Sequence, residues 1–121
     1  MVEGENEKPY DLELRTELFA RNVRELVRRL PRSMTNRNDA LQLVRCSGSI
    51  AANYIEANGS LSKKDFMMRL RICRKEAKET RLWLRLIYTD DSSEQNADRD
   101  KLLQESVELI SIITAILNKA E

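Results

Sequence analysis

The sequence contains no histidine. That removes the commonest general base and the commonest metal ligand. Only six of its 121 residues are aromatic, three are glycine and two are proline. So little Gly and Pro leaves few places for turns, and scarce aromatics argue against a β-rich core. No apolar run approaches the roughly 20 residues a spanning helix needs. The two cysteines, Cys46 and Cys73, lack the spacing of metal ligands and read as reduced, packed thiols of an intracellular protein. There is no glycine-rich phosphate loop and no Cys/His zinc pattern. Ser47 and Ser49 have no base beside them. The first ten residues are acidic and lack the order of a secretion signal. These absences point to a soluble, cytoplasmic protein that is not an enzyme, with no cofactor and no metal.

What is abundant is charge, 34% of residues, at a net of only +1. The balance is local. Lys63 to Arg85 holds nine cations and three acids, a net of +6, whereas Asp90 to Glu121 holds three and eight, a net of −5. Such segregation bears on partners and on how helices pair.

Apolar residues recur at alternating steps of three and four, the signature of helices packing on near-antiparallel neighbours. Residues 1–9 read as a frayed leader, and residues 10–119 as one domain of four helices, at about 11–30, 39–58, 63–88 and 96–119. Asp11 is placed to cap the first, whose seam is Leu12, Thr16, Phe19, Val23, Leu26 and Leu30, widened by Leu18 and Val27. Pro31 ends it. Asn38 or Asp39 caps the second, with a seam of Leu41, Val44, Gly48, Ala51 and Ile55. Leu43, Ser47, Ile50 and Tyr54 extend its apolar arc, so it must be covered on more than one side. Gly48 fits either a plain core position or a close approach of another helix backbone. Gly59 suits a left-handed cap, and Ser62 with Asp65 starts the third helix. The whole is an all-α, up-down-up-down antiparallel four-helix bundle.

The third helix has three faces. Phe66, Leu70, Cys73, Ala77, Thr80, Leu84 and Ile87 form its seam. Beside them runs a basic stripe of Arg71, Arg74, Lys78, Arg81 and Arg85. Like charges at that spacing repel, so either acids such as Glu105 and Glu108 of the fourth helix neutralise them or an anionic partner does. Phosphate is the obvious partner; without interleaved aromatics, base stacking is not supported. The other flank carries Met68, Ile72, Glu76, Glu79, Trp83 and Leu86. Either the core is broad there, or Met68, Ile72, Trp83 and Leu86, with Ile50 and Tyr54 of the second helix, form an oligomer interface. Glu76 and Glu79 are spaced like half of a di-iron site, but the histidine partner is missing, so salt bridges are the expected role for them and for Glu56.

Asp11-Leu12-Glu13, Leu30-Pro31 and above all SGSIAANYIEANGSLSKKDF (Ser47 to Phe66) resemble the proteins encoded in intervening sequences of bacterial 23S ribosomal RNA genes. The likeness continues through Arg74-Lys75-Glu76-Ala77-Lys78-Glu79 and Trp83-Leu84. It implies a left-handed bundle assembled as a homopentamer. A similar fold serves as the accessory protein of diversity-generating retroelements, where a basic pentamer associates with reverse transcriptase and nucleic acid. By that likeness Arg71, Arg74, Lys75, Lys78, Arg81 and Arg85 become candidates for contact with structured RNA, the partners being itself, RNA or a nucleic-acid-processing protein. A scaffold or protein-interaction ring with no nucleic-acid role is the alternative.

Overall fold

A computed structural model describes residues 11–121; the leader expected at residues 1–9 lies outside them. Four helices follow in order: α1 (Leu12–Arg29), α2 (Met34–Asn58), α3 (Lys63–Leu86) and α4 (Ser93–Ala120). Each packs on its successor, and α4 returns to α1. Among the described residues the backbones of the diagonal pairs, α1–α3 and α2–α4, stay apart, and only their core side chains come together. Short connections and this closed order make an up-down-up-down bundle.

Side-chain oxygens cap all four starts, satisfying amide groups that would otherwise lack partners. Asp11 accepts from the Glu13 amide at 2.9 Å, and Ser62 from Asp65 at 3.1 Å. Ser92 caps α4. The start of α2 differs from expectation. It begins at Met34, five residues before position 39, because Ser33 accepts from the Asn36 amide at 3.0 Å and serves as the cap. Asn36 is thereby buried in the first turn, where its side chain joins two loops. Its amide donates to the carbonyls of Pro31 and Tyr88, and its oxygen accepts from the Tyr88 amide at 2.9 Å. That clamp holds the chain extended beyond Leu86, so α3 stops two residues short of Tyr88. Gly59 is not left-handed: its φ is −87°, and its amide simply extends the helical ladder to Ile55. The left-handed residues are Asp90 and Asp91, at φ 53° and 57°, in the α3–α4 loop.

The seams of α1 and α3 face the core as their spacing predicts. Phe19, Val23 and Leu26 are buried on α1, and Leu70, Cys73, Ala77, Thr80 and Leu84 on α3. Leu18, expected to widen the α1 seam, is exposed. On α2 the seam is misassigned. Leu43, Cys46, Ser47, Ile50 and Ala57 are buried, whereas Leu41 and Ile55 are 54% and 52% exposed. Both stripes of α2 have three-and-four spacing; burial goes to the one with the larger side chains, Leu43 and Ile50, which exclude more water. Gly48 accordingly lies on the outer half of α2. What comes close to it is the guanidinium of Arg24, 3.2 Å from where a Cβ would stand, and not a helix backbone.

Candidate nucleic-acid interface

The capped start of α3 and its buried seam fix which way its other faces point. The basic stripe turns toward the α4 side: Arg74 Nη1 donates to Thr114 Oγ1 at 3.4 Å, and Arg71 lies 3.6 Å from Glu121. Arg71, Arg74, Lys75 and Lys78, with Glu79, line an open depression of about 480 Å³. At 100° per residue Arg71, Arg74, Lys78, Arg81 and Arg85 share one arc of α3, with Lys75 at its edge, 3.9 Å from both Glu76 and Glu79. Among the described residues, Lys78, Arg81 and Arg85 have no carboxylate within ion-pair distance.

The acids expected to neutralise this stripe are committed elsewhere. Glu105 and Glu108 both accept from Arg15 of α1. Arg15 Nε and Nη2 reach the two Glu105 oxygens at 2.7 and 2.8 Å, and Nη2 reaches Glu108 at 3.0 Å. These hydrogen bonds, Glu105 first, raise the Arg15 pKa further. Near the other end of the same seam, Arg29 pairs with Asp98 at 2.8 Å and with Glu94 at 3.3 Å. The reason is rotational. At 100° per residue, Glu108 and Thr114 fall on opposite sides of the buried Leu109 of α4. One side meets α1 and the other meets α3, so the acidic flank of α4 serves α1.

The opposite flank of α3 is apolar and only partly covered. Met68 and Leu86 are exposed, and Ile72 is half-buried. Trp83 is half-buried and packs against the core, as the broad-core reading has it. Tyr54 is half-buried against a second cluster around Leu70 and Ile113. Ile50 is no surface residue at all: it is 0% exposed, in the centre of the core. An α2 that is apolar around most of its circumference does not show by periodicity alone that Ile50 belongs to the core and not to the interface.

Glu76 and Glu79 lie beside Cys46, not on a metal. Burial first, then those two carboxylates, push the Cys46 thiol up to about 11. Burial pushes Cys73, whose Sγ donates to the Ile50 carbonyl at 3.5 Å, up to about 12. Both thiols stay protonated near neutrality and make poor nucleophiles. Among the described residues no cluster of three or more potential ligands could hold a metal ion. No helix there is long and apolar enough to cross a membrane.

These features define the class: a four-helix bundle whose third helix bears a basic stripe, only partly compensated among the described residues, on one flank and partly uncovered apolar side chains on the other. A family model for the 23S rRNA-intervening sequence protein matches residues 13–115. The chain belongs to that family. Its fold is also similar to a crystal structure of a protein of unknown function from the S23 ribosomal protein family of Bacteroides thetaiotaomicron. That similarity has a TM-score of 0.76 at 28% identity, covering 88% of this chain and 98% of the other. Among curated proteins, none matches.

Proposed function

We propose that this is a non-catalytic, cytoplasmic, homo-oligomeric protein that associates with structured RNA through the phosphate groups. The contacts are Arg71, Arg74, Lys75, Lys78, Arg81 and Arg85, in a pentamer if the assembly follows the family resemblance. One observation carries the reading: among the described residues Lys78, Arg81 and Arg85 have no carboxylate within ion-pair distance, while Glu105 and Glu108 accept from Arg15. A row of cations is less costly when an anionic polymer covers it, and released counterions then drive binding. The stripe has no aromatic residue, so the readout is of backbone and shape, without base stacking. The test is RNA binding by the full chain across a salt series. Affinity should fall about linearly in log K against log salt, and an Arg74, Lys78, Arg81 triple Ala variant should flatten that slope. No binding to RNA or DNA at low salt would end the proposal.

A second reading, a scaffold or protein-interaction ring, is favoured by the exposed apolar side chains of Met68, Leu82 and Leu86 on the apolar flank of α3. Under it the triple variant alters assembly mass and leaves any nucleic-acid retention unchanged.

A further inference from the structure

Helix α2 carries a second apolar stripe at helix-contact spacing, and α3 carries a stripe of the same spacing. Leu41, Val44, Gly48, Ala51 and Ile55 repeat at three and four residues, as a helix contact does, yet Leu41 and Ile55 are exposed and the three between them only half-buried. Their middle is small, and over Gly48 lies the Arg24 guanidinium, held by the Ala20 carbonyl at 3.1 Å. Arg24 has no carboxylate within ion-pair distance among the described residues. On the outer flank of α3, Ile72, Glu79, Leu82 and Leu86 keep the same register, with apolar ends and an acid at the centre. Leu82 and Leu86 are exposed. Among the described residues the one ionic neighbour of Glu79 is Lys75, at 3.9 Å, and its buried Oε2 makes no hydrogen bond.

We infer that the outer stripe of α2 in one copy packs on the outer flank of α3 in the next, with Arg24 of the first paired to Glu79 of the second. This rests on the oligomeric reading above and gives it an interface. The spacing supports it: with Glu79 set opposite Gly48, Ile72 and Leu86 stand opposite Leu41 and Ile55 whichever way the helices run. Small residues at the centre of α2 leave room for the pair. The rival arrangement, α2 against α2 about a two-fold axis through Gly48, brings Arg24 against its own copy, and like charges at the centre of an interface oppose it. An α2-to-α3 contact is heterologous, so it propagates from copy to copy, into a ring where the rotation between copies closes and into a filament where it does not.

The experiment is sedimentation equilibrium of the full chain, with circular dichroism as the folding control, on the unaltered protein, Arg24→Glu, Glu79→Arg and the double reversal. Each single reversal should raise the concentration of half-assembly at least tenfold with helicity retained, and the double reversal should restore assembly. Ile55→Glu and Leu82→Glu, both at positions exposed in the single copy, should weaken it independently. An assembled protein whose mass none of these variants alters overturns the interface while leaving oligomerisation standing. Singles that weaken assembly without rescue in the double overturn the Arg24–Glu79 pairing. A monomer at every concentration overturns the oligomeric reading and the interface with it.

Discussion

Helix α4 touches two arginine-bearing helices and treats them differently. Toward α1 it offers Glu94, Asp98, Glu105 and Glu108, and Arg15 and Arg29 take them all. Toward α3 it offers Thr114 and the terminal Glu121 to six cations. The first seam is a closed set of charges whose energy is realised within the subunit. The second is left open, and its cations repel one another until something outside the subunit covers them. Net charge near zero therefore says little about binding in this chain, because the neutralising acids sit on the wrong side of α4 to quench the stripe.

The largest expected effect comes from removing the open seam. Replacing Arg74, Lys78 and Arg81 together by Ala should cost about 10²–10³-fold in RNA affinity near 0.1 M salt and lower the salt slope by about 3, the loss of three phosphate contacts. Fluorescence anisotropy across a salt series measures both. An unchanged slope would mean that the two seams do not differ in function.

Breaking the closed seam should act on folding instead. Arg15→Ala removes two charge-assisted hydrogen bonds to Glu105, whose side chain is only 16% exposed. The expected loss is about 1–3 kcal/mol in denaturant midpoint analysis, with the RNA salt slope unaltered. Retention of full stability would demote the Arg15 cluster to an ordinary surface ion pair.

A weaker, pH-dependent effect lies beneath both seams. Cys46 and Cys73 are held up to about 11 and 12 by burial, above the ordinary thiol value near 9. The folded state thus binds more protons than the unfolded state between those limits, and stability must fall as pH rises through that window. Below the unfolded thiol value the contribution is fully present. Denaturant midpoints should decline from about pH 9 upward, and less steeply in Cys73→Ala. Thiol alkylation at pH 8 should be slow until denaturant is added.

The fold was legible where one stripe dominated a helix. On α3 every seam residue from Leu70 to Leu84 is buried, because the competing flank is interrupted by the charged Lys75, Glu76 and Glu79. On α2 two stripes share the same spacing, and periodicity cannot choose between them; residue size could have, since Leu43 and Ile50 outweigh Gly48 and Ala51. Ser33 was also visible as a cap, but the polar run after Pro31 reads as loop until Asn36 is seen joining it to Tyr88. The basic stripe of the site could be read directly. The allegiance of Glu105 and Glu108 could not, because sequence puts them on one flank of α4 without saying which neighbour that flank meets.

The smallest prediction is the one whose sign separates the seams. Lys78 stands three or four residues from Arg74, Lys75 and Arg81, and none of its contacts is an acid among the described residues. Each such like-charged pair costs a helix a few tenths of a kcal/mol. Gln has nearly the helix propensity of Lys, so Lys78→Gln removes charge and little else. In RNA-free protein at low salt it should raise stability by about 0.2–0.5 kcal/mol, the opposite direction to Arg15→Ala. The gain should shrink toward zero near 1 M salt, where the Debye length falls to about 3 Å. Paired thermal melts at the two ionic strengths measure it. A loss of stability at low salt would mean that Lys78 already has an acid within reach, and the open seam would be closed after all.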